Sequence, residues 1–208
     1  PGKTKRLMKL NEKIERGLVA LSIESHVNVV EKLAQYLALI TKWNKVTNLT
    51  SIDKPEQMVV VHLLDSLSIH PYLGGSRILD VGSGAGLPGI PLALINDDKK
   101  FTLLDSNGKK TRFMLQVIIE LGIKNVEVVQ SRAQDFQGQF DHVVCRAFTS
   151  TEDFVKACSH LLAPGGHLLA MKGPAESAVT PLPGFKQTIY QLNVPDLTSE
   201  RCLIEIGR

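Results

Sequence analysis

Aromatic side chains are scarce in this 208-residue chain, at 5% of the total, which argues against an RNA module that works by displaying rings for bases to stack on. Cysteine is scarcer still. Cys145, Cys158 and Cys202 are scattered, with the spacing of neither a disulfide framework nor a metal site, so no metal is expected. No long apolar run is present: the richest stretch, Met58 to Leu73, is interrupted by His62, Asp65 and His70, well short of the ~18 residues a membrane span needs. The basic start leads into Lys9, Glu12 and Lys13 rather than an apolar segment, so no signal peptide is expected. Disorder is excluded by 43% hydrophobic and 22% charged residues. These absences leave a cytoplasmic globular protein, expected to be monomeric and away from membranes.

Charge of one sign is nearly lacking overall, at +3, but it is unevenly placed. Residues 1–16 hold Lys3, Lys5, Arg6, Lys9, Lys13 and Arg16 against Glu12 and Glu15, a net +4, so the other 192 residues sum to −1. A basic leading segment on a near-neutral body suits contact with a polyanion; a solvated helix face is the plainer alternative.

The chain changes character near residue 75. Before it, Leu7, Leu10, Ile14, Leu18 and Leu21 recur at helical spacing. Val27 to Trp43 does the same, after a cap at Ser22 or Ser25. A polar turn over 44–53 follows, and Pro55 opens a third helix to about Leu73. Beyond Gly74-Gly75, strands at 77–81, 101–105, 126–129, 142–145 and 167–171 alternate with helices at 90–95, 109–121 and 154–162, the last stopped by Pro164-Gly165-Gly166. This rhythm predicts a doubly wound, mostly parallel α/β sheet. Two further strands, within 184–194 and 202–206, have no helix between them and predict a closing antiparallel hairpin. The expected organisation is a helical extension, 1–74, packed on a sheet domain, 75–208.

The most informative stretch is Asp80-Val81-Gly82-Ser83-Gly84-Ala85-Gly86-Leu87-Pro88-Gly89. Gly84, Gly86 and Gly89 satisfy a dinucleotide fingerprint, with Asp105 about 20 residues on. Charge favours another ligand. A pyrophosphate would be repelled by Asp80 and would want the amide that Pro88 lacks. S-adenosylmethionine carries an ammonium and a sulfonium, which Asp80 attracts, while Asp105 can accept both ribose hydroxyls. Asp80, Gly82, Gly84, Gly86 and Asp105 are therefore candidate donor-binding residues.

The fourth strand ends in Val144-Cys145-Arg146-Ala147-Phe148. The acidic Pro-Pro-aromatic run of exocyclic-amine methyltransferases is absent. Cys145 lacks the preceding proline of a carbon-5 nucleophile and reads better as a buried strand residue. What remains is attack by an acceptor with a free lone pair. Nitrogen-7 of guanine carries no proton to remove, so positioning and desolvation suffice.

Several segments together resemble the GidB/RsmG family: Trp43-Asn44 with Asn48-Leu49-Thr50, His62 to Ser66, Asp80 to Pro91, Leu103 to Ser106, Ser131-Arg132-Ala133, Arg146-Ala147 and Lys172-Gly173. The resemblance spans about residues 25–206. It implies a class I S-adenosylmethionine-dependent methyltransferase acting on guanine nitrogen-7 in small-subunit ribosomal RNA, free or in the assembled subunit. It also implies donor contacts from Gly82, Leu87, Ala133, Gln134 and Arg146. The family often has glutamate where Gln134 stands, a neutral change if the contact is through backbone amides. The alternatives are a non-catalytic ribosome-associated module and a small-molecule methyltransferase.

Arg146, Lys172 and Asn48 are the candidates for positioning the acceptor. His62 and Asp65 lie three apart on one helical face and can pair there or face the site. Trp43 sits on an apolar face, where core packing is favoured over base stacking. Arg132 follows a strand on the ligand-binding side. Lys109, Lys110 and Arg112 begin a helix, where cations oppose the macrodipole and hint at a phosphate partner.

Overall fold

The computed structural model describes residues 2–24, 27–146, 148, 150–173 and 181–208, with side chains from residue 7 onward. Helices α1 (Gly2–Ala20) and α2 (Val27–Thr47) come first. Ser25, one of the two expected caps, lies outside the described residues; Ser22 occupies the turn with φ 57°. The third helix opens at Pro55 as expected and runs without a gap to Leu67, with α3 (Pro55–Met58) passing through a π-helical turn (Val59–Leu64) into α4 (Asp65–Leu67), and a short 3₁₀ turn (His70–Tyr72) follows.

The sheet follows, with β1 (Arg77–Val81), α5 (Gly89–Ile95), β2 (Lys100–Asp105), α6 (Gly108–Leu121), β3 (Val126–Gln130), β4 (Phe140–Cys145), α7 (Thr151–Cys158), β5 (Leu162–Lys172), β6 (Lys186–Leu192) and β7 (Arg201–Gly207). The strand order is β3-β2-β1-β4-β5-β7-β6. Strands β1 to β5 run parallel, and β7 pairs antiparallel with both β5 and β6. Chain order reverses between β1 and β4, and that switch point opens the crevice where such sheets bind ligands.

Local chemistry explains the boundaries. α6 starts at Asn107, whose side chain accepts from the amides of Lys109 and Lys110, and stops at Gly122 with φ 60°. α7 ends at Cys158 and a 3₁₀ turn (Ser159–Leu161) carries the helical path to the residue before the expected end at Leu162, while Pro164-Gly165-Gly166, expected to stop the helix, belongs to β5 itself. The β4–β5 register shifts there, between Phe140 and His142, so the glycines form an irregularity within a strand rather than a stop.

Alternation along β1 shows how the two faces fill. Ile78 joins a cluster that includes Ile14 and Leu18 of α1, Leu33, Leu37 and Ile40 of α2, Leu63 and Phe113. Leu79 and Val81 face the other way, among Val143, Phe154, Leu161 and Ile204. Trp43 packs edge-on against Phe113, with ring centroids 5.7 Å apart. The helices before residue 75 therefore share a core with the sheet. No helix among the described residues is long and apolar enough to cross a membrane.

Candidate active site

At the carboxyl end of β1 the chain turns through Gly82, Gly84 and Gly86, with φ of 69°, 61° and 87°, values that side chains rarely tolerate. The loop's amides are committed inward. Gly82 and Ser83 donate to the Leu104 carbonyl, Gly86 and Leu87 to the Ser83 carbonyl, Gly84 to Asp105 Oδ2 and Gly89 to Asp80 Oδ2. A pyrophosphate cradle needs such amides pointing out. This loop instead offers a close approach to backbone with no row of free donors.

Beside it lies a cavity of about 330 Å³ lined by Gly82, Asp105, Arg132, Ala133, Gln134 and Phe148, among others. Asp105 ends β2, and its oxygens accept from Gly84 (2.9 Å) and Asn107 (2.8 Å), which fixes the carboxylate at the cavity wall. Each oxygen keeps acceptor capacity for a ribose hydroxyl.

Asp80 stands differently. It is fully buried under the loop, where Oδ2 accepts the Gly89 amide at 2.9 Å and Oδ1 has no hydrogen-bond partner among the described residues. Burial raises its pKa to about 7, against the pull of the Gly89 hydrogen bond, of the nearby Ser83 hydroxyl and of Arg146. A Cβ at Gly89 would stand 2.7 Å from that oxygen, so the contact needs glycine. The carboxylate thus braces the loop from beneath; Asp80, expected as a donor contact, is fully buried behind the cavity wall and does not line it. Gly84, Gly86 and Leu87 shape the loop without forming the cavity wall.

A second cavity, about 460 Å³, is lined by Thr50, His62, Asp65, Arg146, Lys172 and Arg201, with neighbours. Arg146, expected also at the donor, stands here. Its Nη1 donates to Asp65 Oδ2 (3.2 Å) and to the Val61 carbonyl (3.1 Å). The π-helical turn makes the second contact available: the Asp65 amide reaches back to the Val60 carbonyl, past the Val61 carbonyl an α-helix would use.

Lys172 is buried and donates to the Phe148 carbonyl at 2.7 Å, tying the wall of this cavity to a residue of the first one. Asn48 is exposed, with φ 47°, and it is Thr50 that reaches the cavity. Asn44 grips Thr50 through both its carbonyl and its amide, and Thr50 Oγ1 lies 2.9 Å from His62 Nε2. His62 and Asp65 share the wall without pairing to each other. Burial, helped by Arg146, lowers the His62 pKa to about 4, so the ring is neutral near pH 7.

One residue is not signalled by the sequence: Arg201, at the start of β7, donates Nε to Asp65 Oδ1 at 3.1 Å; of the Asn48-Leu49-Thr50 segment, it is Thr50 that lines the cavity. Arg201 lies 136 positions from its partner, and an arginine opening an edge strand carries no local signature.

The seven-stranded order, the inward-committed glycine loop and the carboxylate ending β2 define a class I methyltransferase, the S-adenosylmethionine-dependent type. Solved structures share the fold: a SAM-dependent methyltransferase from Aquifex aeolicus superposes with TM-score 0.58 at 17% identity, covering 76% of this chain and 96% of that one. Magnesium protoporphyrin IX methyltransferase from Synechocystis, with bound SAM, gives 0.57 at 17%, covering 83% and 97%.

Sequence relatives are much nearer. "Ribosomal RNA small subunit methyltransferase G" of Psychromonas ingrahamii is 46% identical over 97% of this chain and 100% of its own length. The Yersinia pseudotuberculosis protein of the same name is 49% identical over 83% and 87%. The family profile GidB, described as rRNA small subunit methyltransferase G, matches residues 29–195. The chain belongs to the GidB family.

Proposed function

We propose that this protein transfers the methyl group of S-adenosylmethionine to nitrogen-7 of a guanosine in small-subunit ribosomal RNA, directly and without a covalent enzyme intermediate. The acceptor places the reaction in the cytoplasm, on free RNA or on an assembled subunit.

The observation that carries this reading is the pairing of two cavities across the end of β4. Arg146 lines one and Phe148 the other, and Lys172 binds the connection between them. The donor supplies an electrophilic methyl on a sulfonium. Asp105 orients the ribose, Ala133 and Gln134 flank the adenine side, and Asp80 sets a negative field beneath the methionine end. On the acceptor side, the guanine brings its own lone pair, so the protein's task is alignment and exclusion of water. No general base is required, which agrees with a His62 ring made a weak base by burial, its pKa lowered to about 4.

Cys145 supports the absence of a covalent step. The thiol is fully buried, and burial pushes its pKa well above the ordinary value, so no thiolate stands ready. Mass spectrometry of small-subunit RNA incubated with donor and either wild type or Cys145→Ser tests the reading. Both proteins should yield 7-methylguanosine. A well-folded but dead Cys145→Ser protein, or a trapped RNA adduct, would revive carbon-5 chemistry. Donor binding without methylation of RNA or subunits would indicate a binding module.

A further inference from the structure

We propose that Asp65 is the positioning residue of the acceptor cavity, holding Arg146 and Arg201 as a paired guanidinium site for one backbone phosphate of the acceptor RNA. The inference rests on the nitrogen-7 reading given above.

The geometry is specific. Asp65 follows the π-helical turn and is buried, its side chain 5% exposed, while those of Arg146 and Arg201 are 27% and 24% exposed on the same cavity. One carboxylate oxygen takes Arg146 Nη1 and the other takes Arg201 Nε. Each guanidinium is fastened again, Arg146 to the Val61 carbonyl and Arg201 Nη1 to the Ser199 hydroxyl and the Glu200 carbonyl. Arg146 is thus held through Nη1 and Arg201 through Nε and Nη1, and among the described residues Nη2 of each takes part in none of these bonds. A surface pair meant only for solubility would not be clamped from three elements.

Charge and chemistry select the ligand. Among the described residues, the two guanidinium groups of Arg146 and Arg201 face this wall with the one carboxylate of Asp65 between them, and Lys172 is committed to the Phe148 carbonyl. Fixed guanidinium forks match phosphate oxygens closely. The other frequent arginine target, the O6/N7 edge of guanine, is barred here: an N–H bonded to nitrogen-7 would occupy the lone pair that must attack the methyl group. The arginines are therefore assigned to phosphate, leaving nitrogen-7 bare.

The test uses unmethylated small-subunit RNA with radiolabelled S-adenosylmethionine. Arg201→Gln should raise KM for RNA about tenfold or more, the effect of losing one charge-assisted hydrogen bond, with a much smaller change in kcat. The dependence of log KM on log salt should flatten by about 0.7–0.9. Arg201→Lys should recover the salt slope but not the KM. Asp65→Asn makes the cavity more positive, so a diffuse field would tighten RNA binding, whereas the positioning role requires KM to rise despite the added charge. RNA affinity unchanged or tighter in both Asp65→Asn and Arg201→Gln overturns the proposal. Donor affinity by calorimetry reports folding; should Asp65→Asn lose it, Arg201→Gln decides alone. The methylated atom in the wild-type product, read by mass spectrometry, tests the nitrogen-7 reading separately from these variants.

Discussion

Asp80 is a carboxylate whose burial beneath the glycine loop disfavours its charged form, and a donor cation beyond the loop is the proposed compensation. The unfolded chain releases this proton near pH 4, while the folded protein holds it to about pH 7. The group's contribution to stability is therefore full below about pH 4 and lost as pH rises towards 7. Asp80→Asn keeps the shape and an acceptor for Gly89 without the charge. The variant should melt above wild type at pH 8, with a stability gain on the order of a few kcal/mol, and the difference should vanish near pH 4. Its donor affinity should fall tenfold or more, roughly one charge-assisted hydrogen bond, and should lose the rise with pH that wild type shows up to about 7. Melting curves and titration calorimetry at pH 4.5, 6 and 8 check both. A melting difference independent of pH would mean that Asp80 titrates as an ordinary carboxyl.

The element that decides most about the site is α2, although it contributes no residue to the donor cavity. Its Tyr36 is fully buried and donates from the hydroxyl to the Ala85 carbonyl at 2.6 Å, so a helix far earlier in the chain supports the middle of the glycine loop. Tyr36→Phe leaves a buried carbonyl without this donor, a cost of about 1–3 kcal/mol, expected to lower Tm by a few degrees. Donor affinity should weaken severalfold, because Ala85 adjoins Gly84, whose amide helps fix Asp105. Lower Tm with unaltered donor affinity would reduce the brace to a purely structural role.

Such couplings set the limit of what could be read beforehand. β1 was legible from Arg77 to Val81 because a buried parallel strand is a short apolar run bounded by turn residues. The glycine loop was legible because backbone conformation limits which residues fit. The π-helical turn was not. Val59 to Leu64 is an apolar run compatible with an ordinary helix, and the extra residue per turn shows only in where the amides point. Arg201 has no local signature, because its role comes from a partner brought near by tertiary packing. The placement of Asp80 beneath the loop, behind the cavity wall, is likewise a three-dimensional fact that a charge argument does not carry.

Across the whole molecule, the question is whether the basic first helix is an RNA-facing arm or part of the body. Its two ends answer differently. Leu7 and Met8 are 53% and 60% exposed, whereas Ile14 and Leu18 are buried in the shared core. A Cβ on Gly17 would collide with the Leu64 side chain, so α1 lies directly against the end of the π-helical turn, the residue before Asp65. Lys13 also pairs with Asp196 at 3.6 Å, between β6 and β7. Lys3, Lys5 and Arg6 have side chains outside the described residues, so their share is a matter of charge alone. Deleting residues 1–8 removes those three cations and no described core side chain. Tm and donor affinity should hold, and the salt slope of RNA binding should flatten by about 0.7–0.9 for each phosphate that these cations neutralise in the wild type. Deleting residues 1–16 also removes Ile14 and leaves too little helix to cover Leu64. Loss of a buried aliphatic side chain alone is about 2–5 kcal/mol, so Tm should fall by several degrees. RNA KM should rise beyond the effect of the shorter deletion, because the turn carrying Asp65 loses its cover. Thermal melting, donor calorimetry and salt-dependent RNA binding on the two truncations separate these roles. If the longer deletion keeps the wild-type Tm and changes only the salt slope, α1 is an arm throughout, and the acceptor cavity is held without it.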